Sequence, residues 1–96
     1  MRLTTVGTGT AAPHPSRVQA GHLVEAGDVR LLLDCGSGVA HRLASLGLDW
    51  GGITHVALTH FHADHVADLV TLLVAWRYGQ LPPRTAPVTL IGPVGT

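Results

Sequence analysis

The sequence predicts an α/β fold, a mixed β-sheet with two main helices, on three observations. The first third of the chain is made of short apolar and β-branched runs around a Gly27-Asp28 hairpin signal. Two stretches of helical periodicity follow, at Val39–Leu48 and from His65 onward. A strand candidate stands between them and another after them, giving a strand-helix-strand rhythm.

Taken in order, "RLTTV" and "AGHLVEA" read as strands, and Gly27-Asp28 turns the second into "VRLLLD". In "VAHRLASLGL" the apolar Val39, Leu43 and Leu46 recur at helical spacing, with Ser37 placed to cap the first turn. "THVALT" is the next strand. "HVADLVTLLVAWRYG" from His65 predicts a helix that is apolar on most faces, and therefore buried, closed by Gly79 with Pro82 and Pro83 beyond. "APVTLIGP" begins the last strand. No repeat, linker or low-complexity segment interrupts this order.

Ninety-six residues make one domain at most, and a chain of that size buries roughly 60–70 % of its unfolded surface. At 46 % hydrophobic and 12 % charged residues it is globular rather than disordered. Six acids balance six bases, all of them arginines spread singly, so no basic stripe points to nucleic acid. Cys35 is alone and cannot form an internal disulfide, and Met1 leads straight into "RLTTVG" without a signal-type apolar region. A reducing, cytoplasmic setting is expected. The longest nearly apolar run, "LVTLLVAW", is far shorter than the roughly 20 residues of a membrane span, so no membrane anchor is expected.

The stretch "THFHADHV" places three of the chain's seven histidines and an aspartate within six consecutive residues. In extended backbone at the end of "VALT", the i, i+2 spacing of His60 and His62 sends both imidazoles to one side, whereas a helix would set them about 200° apart. Asp64 and His65 then fall at the start of the next helix, where the turn can swing them beside the first pair and where a carboxylate suits the positive helix end. Imidazole and carboxylate without thiolate suit zinc in a catalytic site rather than a sulfur-rich structural one, with manganese or iron as lesser alternatives. Two adjoining ligand sets, half of a two-metal site, are expected. The competing reading makes these histidines surface residues of a polar loop, with Asp64 a helix cap; strand, ligand spacing and helix start together favour the metal.

These residues resemble the HxHxDH signature of the metallo-β-lactamase superfamily. The order around them, a strand into "VGTGTAAP", a hairpin, "LLLDCGSG", a helix, "ITHVALTHFHADHV", a helix and "VTLIGPVGT", is similar to the ribonuclease Z and arylsulfatase-like branch and covers essentially the whole chain. The resemblance implies a metallo-β-lactamase-type αβ/βα sandwich of which residues 1–96 form the N-terminal half, the C-terminal half of that single domain being absent. It implies that His60 and His62 bind the first of two Zn2+ ions and Asp64 and His65 the second. It further implies that Asp64 is the catalytic residue orienting a metal-bound hydroxide, and that Asp34 buttresses the metal-ligand loop without itself binding metal. The family's later histidine, bridging aspartate and last histidine have no counterpart here, since no histidine follows His65 and Asp68 comes too early to bridge. In the tRNA-maturing members the segment after the third strand reads DCGEG, against "DCGSG" here, with Ser37 in place of the glutamate.

The activity implied for a complete chain is hydrolysis of an RNA or small-molecule phosphodiester. An arylsulfatase-like or ester/lactone hydrolase is the alternative, and a truncated, inactive zinc-binding module is the alternative from another class. A complete chain could be a homodimer. Among other residues, "GTGTAAP" from Gly7 could offer backbone N–H groups to a substrate phosphate, and a tight strand-to-loop turn explains it equally well. His14 and His22 could approach the cleft, His41 and His55 read as ordinary surface or hydrogen-bonded groups, and Cys35 reads as buried filler rather than a nucleophile. Alone, residues 1–96 are expected to hold metal weakly and to leave part of the apolar helix uncovered.

Overall fold

The computed structural model describes residues 1–96. Its single sheet has five strands in the order β1 (Arg2–Gly7), β2 (Gly21–Ala26), β3 (Val29–Leu33), β4 (His55–Ala57) and β5 (Thr89–Ile91). The β1/β2 and β2/β3 pairings are antiparallel and the β3/β4 and β4/β5 pairings parallel, so the sheet is mixed, as the hairpin and the later strand-helix-strand rhythm require. Helix α1 (Val39–Ser45) and a 3₁₀ turn at Trp50–Gly52 connect β3 to β4; α2 (Ala63–Val66) and α3 (Leu69–Tyr78) connect β4 to β5. No helix is long and apolar enough to cross a membrane.

Period-two alternation along the strands puts Leu23, Leu32 and Val56 in register across β2, β3 and β4, and all three are buried. Val39 and Leu43 of α1 and Leu72 and Trp76 of α3 join them in one cluster. The Trp76 indole N–H donates to the Trp50 carbonyl at 2.9 Å, tying α3 to the 3₁₀ turn. Only 15 of 96 residues are buried, so the core is a single thin layer. It stops at β5, where Leu90, the register partner of Val56, is exposed.

The one long helix expected from His65 is two helices, and it begins earlier, at Ala63. Its ladder is broken by the loop after β3. The Cys35 N–H donates to the His65 carbonyl at 2.8 Å, and the Asp68 N–H donates to the Cys35 carbonyl at 3.0 Å. A continuous helix would need both groups for its own i to i−4 bonds, so the backbone turns at Ala67 and Asp68. Nor is α3 buried on most faces. Leu72 and Trp76 are, whereas Val70, Leu73, Val74 and Tyr78 are exposed, because one sheet covers only one side of a helix.

Helix α1 ends at Ser45 rather than Leu48. Gly47 adopts φ 69°, and the Gly47 and Leu48 N–H groups turn back to the Ala44 and Leu43 carbonyls at 3.0 Å each, a Schellman closure. Ser37 does not cap its other end. Gly38 holds the cap position without a side-chain bond, and the Asp68 carboxylate, at the start of α3, accepts from the Ala40 N–H at 2.8 Å. Asp68 thus serves the N-terminus of a helix other than its own. Asp68→Ala is expected to cost about 1–2 kcal/mol in denaturant unfolding, the loss typical of a removed cap. A change under about 0.5 kcal/mol would mean that water replaces the carboxylate.

Candidate metal centre

The site is assembled by the end of β3. At Asp34 the backbone enters the left-handed region, φ 61°, which aspartate tolerates better than most residues. Its carboxylate then meets the chain just past β4. Oδ1 accepts from the Thr59 N–H at 2.8 Å, and Oδ2 accepts from the Thr59 hydroxyl at 2.9 Å and faces His65 Nδ1 at 2.8 Å. Strand β4 therefore stops short of the predicted "THVALT", because the Thr59 N–H leaves the ladder for a side chain. Burial pushes the Asp34 carboxyl up, but the Thr59 N–H, His65 and the Thr59 hydroxyl together outweigh it and hold it below its ordinary value of 3.8. The group is a carboxylate at neutral pH and can only accept, so His65 carries its proton on Nδ1.

His62 itself is extended, φ −63° and ψ 146°, at the N-cap of α2, and Asp64 and His65 lie in that helix's single turn. One ligand atom from each of His60, His62 and Asp64 lies within 4.8 Å of the others. His65 adjoins them, its Nε2 3.3 Å from Asp64 Oδ2 and its ring centre 4.0 Å from that of His60. The donor set fits a divalent cation: imidazole nitrogens and a carboxylate converge, no Lys or Arg side chain pairs with them, and a carboxylate holds the far nitrogen of His65 in the manner of metal-bound histidines. His62 is exposed and His60 and Asp64 are half-buried, so the group opens to solvent.

Gly36 permits the close approach behind this loop. A Cβ there would sit 2.0 Å from the Asp64 carbonyl oxygen and 2.6 Å from the Gln19 Cβ. In the "GTGTAAP" segment a Cβ at Gly7 would lie 1.8 Å from the Gln19 carbonyl oxygen, so backbone packing explains that glycine without a ligand. His14, with Arg17, Gln19 and Ser37, lines a polar pocket of about 230 Å³, and its Nδ1 accepts from the Ser16 N–H at 3.1 Å. His22 lies on β2 opposite Leu33, His41 is exposed on α1, and His55 Nδ1 is 2.7 Å from the Thr54 hydroxyl. None of these four belongs to the His/Asp group. Cys35 is fully buried; burial, with Asp68 and Asp34 nearby, pushes its thiol up to about 12, so it is protonated and inert. Sequence reasoning passed over Thr59 as a partner of Asp34 and Asp68 as a cap. The first had a readable signal, a hydroxyl directly before the first histidine of the cluster.

A mixed sheet carrying a His/Asp group just beyond β4 defines a protein of the metallo-β-lactamase fold. The family model described as "Anti-Pycsar protein Apyc1" matches residues 1–91, and the chain belongs to that family. It is 40 % identical over 96 residues to ribonuclease Z of Mycobacterium avium (strain 104), covering 100 % of this chain and 34 % of that protein. Human tRNase Z, short form, superposes with a TM-score of 0.85 at 33 % identity, covering 97 % of this chain and 35 % of that one. The metallo-β-lactamase fold protein YhfI from Bacillus subtilis gives a TM-score of 0.84 at 31 % identity, covering 94 % and 37 % respectively. The chain spans about a third of the length of the curated relatives it matches.

Proposed function

We propose that the protein carrying this chain is a zinc-dependent hydrolase of phosphodiesters, ribonuclease Z-like in its reaction, with residues 1–96 as the N-terminal part of one catalytic domain. His60, His62, Asp64 and His65 are the metal ligands in this reading. The observation that carries it is the convergence of His60, His62 and Asp64 within 4.8 Å, beside a His65 already oriented by Asp34. The relatives named ribonuclease Z and tRNase Z support an RNA phosphodiester as substrate, and a smaller phosphodiester fits the same chemistry.

When bound, a pair of divalent cations supplies Lewis acidity toward the phosphorus centre and a water acidified to near-neutral pKa. The residues of this chain supply position and proton control. The Asp64 carboxylate contributes a charged ligand oxygen and an acceptor that orients the nucleophile's proton. His65, protonated on Nδ1 against Asp34, keeps its Nε2 lone pair for the metal. His62 stands at the exposed side of the group.

Replacing His60 and His62 together by alanine is expected to remove most of the zinc found by elemental analysis of the folded protein, because two of three converging donors are lost. Undiminished zinc in the double variant would place the site elsewhere. A complete protein that hydrolyses an aryl sulfate or a lactone in preference to every phosphodiester would overturn the substrate class.

A further inference from the structure

Thr59 is no metal ligand, yet its side chain touches the site on two sides. Thr59 Oγ1 lies 2.9 Å from Asp34 Oδ2 and 3.0 Å from His60 Nδ1, with His65 Nδ1 farther off at 3.5 Å. A hydroxyl has one hydrogen and two lone pairs. Facing a carboxylate that only accepts, the hydroxyl hydrogen points to Asp34 Oδ2. What remains toward His60 is a lone pair, so the 3.0 Å contact is a hydrogen bond only when His60 carries its proton on Nδ1. The free lone pair of that neutral ring is then on Nε2. Asp34 imposes the same choice on His65 directly, at 2.8 Å. The Thr59 backbone is fixed too, since its own N–H donates to Asp34 Oδ1 at 2.8 Å, and a β-branched side chain has little χ1 freedom to turn the hydroxyl away.

We propose that Thr59 is a positioning residue whose hydroxyl relays the acceptor character of Asp34 to His60, so that one carboxylate sets the tautomer and ring orientation of two imidazoles and both present Nε2 to a cation. The consequence for metal affinity rests on the metal-site reading above. The tautomer itself does not, because it exists in metal-free protein.

The test compares Thr59→Val, close in shape but without the hydroxyl, with Thr59→Ser, which keeps it, in the full natural chain that contains residues 1–96. Long-range ¹H–¹⁵N correlation spectra of metal-free protein report the His60 tautomer, and competition with a chromophoric chelator reports zinc affinity. Wild type and Thr59→Ser are expected to hold the proton on His60 Nδ1, and Thr59→Val to lose that preference. Zinc affinity is expected to fall about 10–100-fold in Thr59→Val and to stay within about threefold of wild type in Thr59→Ser, the range known for groups that orient metal ligands. A wild-type His60 protonated on Nε2 overturns the proposal, as does a Thr59→Val chain with unchanged tautomer and affinity. Equal losses in both variants overturn it too, since they would mark Thr59 as merely structural. Should Thr59→Val fail to fold, the wild-type and Thr59→Ser spectra still decide. A wild type that binds no zinc refutes the metal reading, while its His60 tautomer still judges the relay.

Discussion

Asp64→Asn is expected to lower turnover of bis-p-nitrophenyl phosphate by the complete protein roughly 10³-fold or more while leaving the fold intact. The fold should survive because the Asp64 side chain holds none of the connections that tie the loop together; its one close polar neighbour is His65 Nε2, at 3.3 Å. Cys35, Gly36 and Asp68 make those connections through backbone groups. The chemistry should not survive. Asparagine is nearly the same size but carries no charge, and its amide nitrogen donates where the carboxylate accepts, so the ligand and the orienting acceptor of the proposed function are lost together. Four measurements separate these effects. The circular dichroism spectrum and the melting temperature of the metal-free protein should match wild type, zinc per chain should drop, and turnover should collapse at saturating substrate. Turnover within tenfold of wild type would remove Asp64 from the catalytic machinery.

The convergence of His60, His62 and Asp64 was legible in the sequence because its geometry is local. An i, i+2 histidine pair after a strand, followed by Asp64 and His65 at a helix start, needs only the two backbone periods to be read, and the structure places His60, His62 and Asp64 together. The supports were harder to see because they are long-range. Asp68 looked like an ordinary helical residue, yet its carboxylate bonds Ala40, 28 residues away. Ser37 had the right chemistry for a cap, but Gly38 turned the chain with φ 90° and the bond went elsewhere. The break between α2 and α3 has no sequence signal of its own, since neither Ala67 nor Asp68 is a helix breaker like Pro or Gly; it is imposed by the Cys35 backbone. Hydrophobicity likewise overstated the burial of α3. An apolar helix surface records what the residues could bury against, and Leu73, Val70 and Val74 have no layer against them here.

Gly36→Ala is expected to destabilise the chain by about 3 kcal/mol or more and to weaken zinc binding while leaving every proposed ligand side chain in the sequence. The added Cβ would lie 2.0 Å from the Asp64 carbonyl oxygen, and that atom is backbone, so no rotamer change relieves the clash. The loop cannot retreat either. Its Gly36 N–H is bonded to the Ala20 carbonyl at 2.8 Å, Cys35 is bonded through its N–H to His65 and through its carbonyl to Asp68, and Val39 donates to the Gly36 carbonyl at 3.2 Å. Any movement that clears the methyl group must pull the end of β3 from the start of α2, separating Asp34 from Thr59 and His65 and displacing Asp64. Gly27→Ala provides the control. Gly27 has φ 56° and open space around its missing Cβ, so alanine there should cost only the left-handed backbone penalty, about 1–2 kcal/mol. Each kcal/mol lowers a domain's melting temperature by roughly 2–8 °C depending on its size, so thermal unfolding resolves the two variants. Chelator competition on the same samples should show weakened zinc binding for Gly36→Ala alone. If both alanines behave alike in melting and in zinc affinity, the contact between Gly36 and Asp64 is not what holds the ligand loop in place.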